Sequence, residues 1–307
     1  MPTDANEGRN APIAWSPDEF RKAGHALVDR LAGFLDEIRN YPVTPAYQPS
    51  QLRSKLPNTE LPAHGKDGAE LIRSTTDLLL ETSLFNGHPR FWGYITSSPA
   101  PIGMLADLLA AAVNSNCGAF ILSPMATEIE KQTIRWLAQF IGYPVPCGGV
   151  MVSGGNMANF IGFLAARKAR AGWNIRKEGL FPAQNLLRIY ASSETHTWIH
   201  KAADLFGMGT DAIRWVPVKE DLSMNADELS KMLKEDSGKG LKPFIVAGTA
   251  GSVGTGVVDP LSAIARLCKE YGCWFHIDGA YGALAAALPE NRELYAGLSE
   301  ADSIAMD

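Results

Sequence analysis

The fold is decided by residues 243–282, PFIVAGTAGSVGTGVVDPLSAIARLCKEYGCWFHIDGAYG. The apolar run 244–248 predicts a buried strand, and a glycine-rich loop follows it. A helix is predicted from about Pro260 to Tyr271, and a second strand over 273–278. A short apolar strand, a loop, a helix and another strand in that order are typical of a parallel β-sheet.

The same rhythm begins further upstream. A strand over 150–153 is predicted to precede a helix over 156–170, and a strand over 186–191 to precede a helix over 197–206. We therefore expect an α/β fold in which helices cover both faces of a mostly parallel sheet. Ligands bind such sheets at the carboxyl ends of the strands, so the loops after the strands are the places to look for chemistry.

The N-terminal third of the chain has a different pattern. Ser16, Pro17 and Glu19 predict a capped helix start, and an apolar stripe follows as far as residue 38. Residues 41–65 contain repeated prolines, including Pro57, and predict an extended connector. Further helices are predicted over 67–83, 101–113 and 124–142, the second of them buried. We expect a helical, dimer-packing segment over 1–87 and a large domain over 88–307.

Composition excludes several classes of protein. The 307 residues carry 28 Lys plus Arg against 33 Asp plus Glu, a net charge of −5, with no basic stripe of the kind that binds nucleic acid. No apolar run is long enough to span a membrane, and the opening MPTDANEGRN lacks the apolar core of a signal peptide. A soluble, cytoplasmic protein is therefore expected.

Cysteine and histidine spacing does not favour a metal site. Four cysteines in a chain of this length predict reduced thiols, mostly buried, rather than a disulfide framework. His196 and His200 are four residues apart, as in zinc-binding helices, but Thr197 stands where the HExxH motif has glutamate. His200 is expected to be a surface or packing residue, and His196 could present its flat ring to a ligand.

Small and acidic residues mark three of the loops. Gly154, Gly155 and Asn156 lie where a helix begins, so free backbone N–H groups could bind a phosphate, although many strand-to-helix turns have this composition. Asp278 ends an apolar strand and shares one face of it with His276. Its carboxylate either caps the following turn or pairs with a cationic ligand group. The loop at 248–256 matches neither GxGxxG nor a P-loop.

In the order and spacing of these loops, the sequence resembles the group II pyridoxal-phosphate (PLP)-dependent decarboxylases, the family of aromatic amino acid and glutamate decarboxylases. The resemblance rests on HPRFWGY, SPMATEIE, SGGNMAN, SSETH, GTAGSVGTG followed by Asp259, and HIDGAYG, and it extends over most of the chain. It implies a fold type I PLP enzyme that decarboxylates an L-amino acid, with aromatic substrates favoured. It also implies a homodimer with active sites at the subunit interface.

The resemblance assigns roles to individual residues. Asp278 would pair with the protonated pyridine nitrogen of PLP, which strengthens the ring as an electron sink. His196 would stack on one face of the ring and Ala280 would pack on the other. Thr249 would form a hydrogen bond near the cofactor, and Gly155 and Asn156 would contact its phosphate. Tyr94 and Thr96 would line the substrate pocket. Asn116 and Gly118 would reach into the site of the neighbouring subunit.

Two positions differ from the family pattern or have another reading. Asn156 replaces the commoner small hydroxyl residue, so only the backbone contact to phosphate is expected there. Tyr94 could equally be an aromatic packing residue of the connector.

Members of the family continue into a Pro-His-Lys motif, whose lysine forms the Schiff base with PLP, and then into a small C-terminal domain. Neither the motif nor that domain is expected within residues 1–307. This chain alone is therefore expected to be inactive. Decarboxylation with oxidative deamination to an aldehyde and a non-catalytic PLP-fold subunit stay open as alternatives.

Overall fold

The computed structural model describes residues 13–56, 60–180 and 186–307. The MPTDANEGRN segment and Pro57 lie outside these ranges. The chain divides into two compact units, Met1–Asn114 and Ser115–Asp307. That division falls later than the boundary expected after residue 87, because the helix Pro101–Val113 groups with the first unit. The functional division at residue 87 stays a prediction. No helix in the described ranges is long and apolar enough to cross a membrane.

The N-terminal unit is helical. Ser16 and Glu19 form the expected capping box at the start of its first helix. Phe34 packs on Tyr41 and Phe85 with ring centroids 5.2 and 4.7 Å away, which ties the end of that helix to the connector. The described helices of this unit are α1 (Pro17–Glu37), α2 (Pro49–Ser54), α3 (Gly68–Thr82) and α4 (Pro101–Val113).

Two expectations for this unit were wrong. The connector is not wholly extended, because Pro49 begins the short helix α2 and its fixed φ suits a first helical position. Helix α4 is exposed rather than buried: Ile102, Leu105 and Leu109 are 77%, 54% and 64% accessible. Apolar composition predicts that a helix packs against another surface, but it does not identify that surface. Within the described residues no element buries the apolar side chains of α4.

The C-terminal unit is a parallel sheet packed between helices. Its strands are β1 (Leu187–Ser192), β2 (Ile213–Val216), β3 (Lys242–Thr249), β4 (Trp274–Asp278) and β5 (Ser303–Ala305), in the order β2-β1-β3-β4-β5. Every described strand pair is parallel. The helices are α5 (Pro124–Phe140), α6 (Gly154–Arg170), α7 (Ile175–Glu178), α8 (Trp198–Leu205), α9 (Ala226–Gly238) and α10 (Leu261–Tyr271).

Each face of the sheet has its own apolar core. Ile189 and Ile245 lie in the core beneath α6 and α8, whereas Val246, Phe275 and Ile277 lie in the core beneath α9 and α10. The alternation follows from the two-residue period of a strand. It places His276 and Asp278 on the α6 side, as the sequence predicts. The expected α/β fold is confirmed.

One predicted strand is absent, and others were missed. Residues 150–153 do not form a strand, because the Met151 N–H donates to the Glu130 carboxylate at 2.7 Å instead of to a neighbouring strand. Sequence reasoning missed the short strands β2 and β5 and the helix α9, whose polar, charged surface resembles a loop in composition. The other predicted helices and strands lie within a few residues of their expected bounds.

Candidate functional site

Two polar residues meet at the carboxyl edge of the sheet. Thr249 ends β3 and Asp278 ends β4, and the two are direct partners in the parallel ladder. Both side chains are buried, at 4% and 6% exposure. Because α6 begins after an irregular segment and packs on β3, β4 and β5, its first turn lies beside the same edge. The site expected at the ends of the strands is therefore formed by adjacent elements.

The Asp278 carboxylate is held by three neutral donors. Trp198 Nε1–H donates to Oδ2 at 2.8 Å, while Asn159 Nδ2–H and the Ala280 backbone N–H donate to Oδ1 at 3.2 and 3.3 Å. Charge-assisted hydrogen bonds of this kind stabilise an ionised carboxylate. The hydrogen bond from the Ala280 N–H caps the turn after β4, which is one of the two roles that the sequence predicts for Asp278. The other two donors come from distant elements, which a simple turn cap does not require.

Behind Asp278 lies a buried imidazole. His276 Nε2 is 2.8 Å from Asn159 Oδ1, and His276 Nδ1 is 2.8 Å from Ser303 Oγ. Burial lowers the pKa of His276 to about 4, while the charge of Asp278 and a hydrogen bond to the Ser303 backbone oppose this shift. The ring is therefore neutral near neutral pH. Trp198 packs edge-on against it with centroids 5.5 Å apart.

This burial gives stability a pH dependence with a definite sign. A histidine whose folded pKa is lowered contributes stability that is present above its unfolded pKa near 6.5 and is lost as pH falls through about 4. We expect the unfolding free energy of the natural protein to fall by about 3 kcal/mol relative to His276→Gln between pH 6.5 and 4. Denaturant unfolding of both proteins at several pH values measures this difference. The same dependence of unfolding free energy on pH in both proteins would contradict the prediction.

Thr249 presents a hydroxyl that its surroundings leave unpaired. Its backbone is fixed by Asp259, whose Oδ2 accepts the Thr249 N–H at 2.8 Å and whose own N–H donates to the Thr249 carbonyl at 2.9 Å. The buried Oγ1 has no hydrogen-bond partner in the structure. Buried hydroxyls without partners are rare in native proteins, so this atom is ready to bond a ligand.

Asp259 is itself an unusual carboxylate. It is 2% exposed, and its Oδ1 accepts the Met224 N–H at 2.7 Å. Burial raises the pKa of Asp259 to about 6, and the backbone donors of Met224 and Thr249 oppose that rise. Asp259 therefore fixes the loop between β3 and α10 onto β3 and positions Thr249.

The first turn of α6 provides an anion cradle. Gly154 has a φ of +80°, which favours glycine, and a Cβ at Gly155 would lie 2.8 Å from the Ala280 Cβ. The Gly155 N–H donates to the Asp307 carboxylate at 3.0 Å, so an anionic oxygen already occupies this position. This supports the expected backbone contact to a phosphate. Asn156 is exposed, as is appropriate for a residue expected to contribute only its backbone.

The two histidines of the SSETHTWIH loop are both exposed and serve different contacts. His196 Nδ1 accepts the Trp198 N–H at 3.3 Å, whereas His200 packs against Trp215 with centroids 4.9 Å apart and the rings tilted by 37°. His200 is therefore a packing residue on the surface. Within residues 13–56, 60–180 and 186–307, no three His, Cys, Asp or Glu side chains form a group that could hold a metal ion.

The predicted substrate residues are exposed and divided between the two units. Tyr94 and Thr96 lie in the N-terminal unit, where both are exposed and Tyr94 has a φ of +60°. Asn116 and Gly118 are exposed in the C-terminal unit, and the Gly118 N–H donates to Asn116 Oδ1 at 2.8 Å. Their roles at a substrate pocket stay predictions.

Sequence reasoning missed the residues that surround Asp278. Asn159 lies four residues after Gly155, on the buried face of α6, and its Nδ2–H also donates to the Gly155 carbonyl at 2.8 Å. An asparagine in the middle of an apolar helix face is a signal that could have marked it. Trp198 follows the predicted His196 by two residues. Ser303 gives no local signal, because β5 meets β4 only in the folded sheet.

The arrangement fits a PLP molecule. A buried carboxylate held by neutral donors suits a protonated ring nitrogen, the unpaired Thr249 Oγ1 suits an oxygen substituent or phosphate, and the Gly155 N–H already binds an anionic oxygen. These observations come from three separate elements of the fold.

Comparison with known proteins agrees with this site. Residues 49–307 match the model of the pyridoxal-dependent decarboxylase conserved domain. The chain is 32% identical over 297 residues to the aromatic-L-amino-acid decarboxylase of Bacillus atrophaeus, covering 95% of this chain and 59% of that protein. It is 28% identical over 298 residues to the phenylacetaldehyde synthase of Petunia hybrida, covering 95% of this chain and 58% of that protein.

Solved structures give the same result. The Oryza sativa TDC solved with PLP and tryptamine superposes with a TM-score of 0.87 at 26% identity, covering 97% of this chain and 64% of that one. The chain therefore spans about three fifths of the length of the proteins it matches. The match to the family model, over most of the chain and across the whole of the site, shows that this chain belongs to the pyridoxal-dependent decarboxylase family.

Proposed function

We propose that this chain binds PLP and forms the cofactor-domain portion of an enzyme that decarboxylates an L-amino acid, with aromatic substrates favoured. The observation that carries the proposal is the buried Asp278 carboxylate at the end of β4, held by Trp198 and Asn159. The similarity to an aromatic-L-amino-acid decarboxylase supports the substrate class.

PLP, when bound, supplies an electron sink for the electron pair that remains on the substrate when CO₂ departs. The residues of this chain would set the conditions for that chemistry. Asp278 would hold a proton at the ring nitrogen, and Thr249 Oγ1 would donate to an oxygen of the cofactor. The Gly155 N–H would bind the phosphate in place of the Asp307 carboxylate, while His196 and Ala280 would confine the ring between them.

Titration with PLP tests the proposal most simply. Purified protein should develop a visible absorbance band on adding PLP, and the complete gene product should then release amine and CO₂ from one or more of tyrosine, tryptophan, phenylalanine and DOPA, with glutamate as the acidic comparison. Absence of cofactor binding would favour the non-catalytic subunit instead. Consumption of O₂ with release of CO₂, aldehyde, ammonia and hydrogen peroxide would favour the aldehyde synthase, a candidate supported by the similarity to phenylacetaldehyde synthase.

His196 offers a distinct prediction. Because its proposed role is stacking on the cofactor ring, we expect His196→Ala to lower turnover about tenfold or more and to shift the visible band of bound PLP. The metal content should be unchanged. His200→Ala, four residues along the same segment, is the matched control and should leave both readouts near their natural values. Zinc bound in stoichiometric amount and lost in His196→Ala would contradict the stacking role.

The covalent step needs a lysine in the right place. The family pattern places it in a Pro-His-Lys motif, and that tripeptide does not occur in residues 1–307. We propose that these residues alone bind PLP without enzymatic turnover. Borohydride reduction with PLP, peptide mapping and an amine-release assay test this. Robust turnover by residues 1–307, with a reduced adduct on one of their lysines, would contradict it.

Assembly as a homodimer is also proposed, with Asn116 and Gly118 contributing to the neighbouring subunit's site. The exposed apolar side chains of α4 support a partner surface in the N-terminal unit. Sedimentation analysis of the complete gene product tests it, with a monomer as the contrary result. A cytoplasmic location is likewise a proposal, which cell fractionation would test.

A further inference from the structure

A chain of hydrogen bonds runs from the outer part of β4 to the Asp278 carboxylate, and its direction can be read from both ends. At the inner end, Asn159 faces Asp278 Oδ1 and the Gly155 carbonyl, and both of these accept hydrogen bonds. The Asn159 amide nitrogen must therefore point to them, which leaves Asn159 Oδ1 toward His276. An amide oxygen can only accept, so His276 Nε2 carries the hydrogen.

The outer end imposes the same direction. Trp274 Nε1–H, which can only donate, gives its hydrogen bond to Ser303 Oγ at 2.8 Å. The Ser303 hydroxyl is thereby free to donate its own proton to His276 Nδ1 at 2.8 Å. A neutral His276 with its proton on Nε2 accepts that bond at Nδ1. Both ends thus assign one tautomer to His276 and one orientation to the Asn159 amide.

The site also fixes the imidazole in space. A Cβ at Gly162 of α6 would lie 2.5 Å from His276 Cε1 and 2.6 Å from Nδ1, so the ring packs directly on the Gly162 backbone. His276 is fully buried, and Trp198, itself a donor to Asp278, packs edge-on against it. A side chain that only filled space would not need a glycine facing it and a polar partner on each nitrogen.

We infer that His276 and Asn159 are positioning residues, which act as a one-way relay that holds the Asp278 carboxylate in place for the ring nitrogen of the cofactor. The inference rests on the proposed function. Asn159 contacts the carboxylate, and His276 acts through Asn159 by fixing its amide. Hydrogen bonds in a buried chain polarise one another, so loss of an outer member weakens the inner bond to Asp278.

The test is a double-mutant cycle on the complete protein, read out by PLP binding and by the ¹⁵N chemical shift of the cofactor's pyridine nitrogen. We expect His276→Phe and Asn159→Ala each to raise the dissociation constant about tenfold, because each removes a partner from a buried polar group. Each should also move the ¹⁵N signal toward that of the unprotonated ring. His276→Gln, which can still donate to Asn159, should stay near the natural protein.

Coupling distinguishes a relay from independent packing. The double variant should bind PLP about as weakly as Asn159→Ala alone, because His276 acts through Asn159. Gly162→Ala, which displaces the ring without removing a polar group, should shift the ¹⁵N signal as His276→Phe does. Gly238→Ala, a helical glycine whose Cβ meets nothing within 4 Å, is its control.

Each contrary outcome has its own meaning. Additive losses in the cycle, or folded His276→Phe and Asn159→Ala proteins that keep the natural ¹⁵N shift, would overturn the relay while the proposed function stands. If His276→Phe does not fold, Asn159→Ala and Gly162→Ala still decide the matter by the same two readouts, and natural values in both would overturn the relay. Failure of the unsubstituted protein to bind PLP would overturn the proposed function, and the relay with it.

Discussion

Replacing Asp278 with alanine is expected to lower turnover of the complete enzyme at least 10²- to 10³-fold. The ring nitrogen would lose its anionic partner and its proton, and removing one member of a buried ion pair costs about 3–5 kcal/mol. Each tenfold in rate corresponds to about 1.4 kcal/mol, which gives the expected range. Steady-state release of amine measures the effect, with far-UV circular dichroism to show that the fold persists.

Asp278→Asn separates charge from shape. It keeps one acceptor for the donors around the carboxylate and removes the negative charge, so we expect turnover to fall nearly as far as in Asp278→Ala. Natural turnover in either variant would contradict the assignment of Asp278. A loss of turnover that accompanies unfolding of Asp278→Ala alone would leave Asp278→Asn as the deciding variant.

Replacing Asp259 with alanine is expected to cause the largest loss of stability. The buried N–H groups of Met224 and Thr249 would both lose their acceptor. Each unsatisfied donor costs about 1–3 kcal/mol, so the free energy of unfolding should fall by about 2–6 kcal/mol. Asp259→Asn retains one acceptor and should lose about half as much. Denaturant unfolding of the three proteins measures the series.

The loss should depend on pH. The pKa of Asp259 is raised by burial to about 6, so its contribution to stability is fully present below its unfolded pKa near 3.8 and declines as pH rises through about 6. Asp259→Ala should therefore cost about 2 kcal/mol more at pH 4 than at pH 8. An equal or smaller cost at pH 4 would contradict the raised pKa of the Asp259 carboxyl.

The sheet could be predicted where local periodicity is sufficient. The alternation along residues 273–278 correctly places His276 and Asp278 on one face, because side chains of a strand point to opposite faces in turn. The capped start of α1 follows from Ser16 and Glu19 in the same way. By contrast, residues 150–153 have the apolar character of a strand and no strand beside them in the described chain, so composition alone misled.

The site could be predicted in part. Contacts between residues that are far apart in the sequence could not be predicted. Asp278, Thr249 and Gly155 follow from loop motifs and from the family that these motifs resemble, and the structure brings the three residues to one edge of the sheet. Asn159 and Ser303 acquire their roles only when α6 and β5 pack on β4, contacts that span more than a hundred residues for the Asn159–Asp278 pair. No local pattern contains that information.

The central claim is that Asp278 holds a proton at the ring nitrogen of bound PLP. The most direct measurement is the ¹⁵N chemical shift of that nitrogen in the protein loaded with ¹⁵N-labelled PLP, compared with Asp278→Asn. We expect the signal of a protonated pyridine in the natural protein at neutral pH and that of an unprotonated pyridine in the variant. An unprotonated signal in the natural protein, or the same protonated signal in both, would contradict the claim.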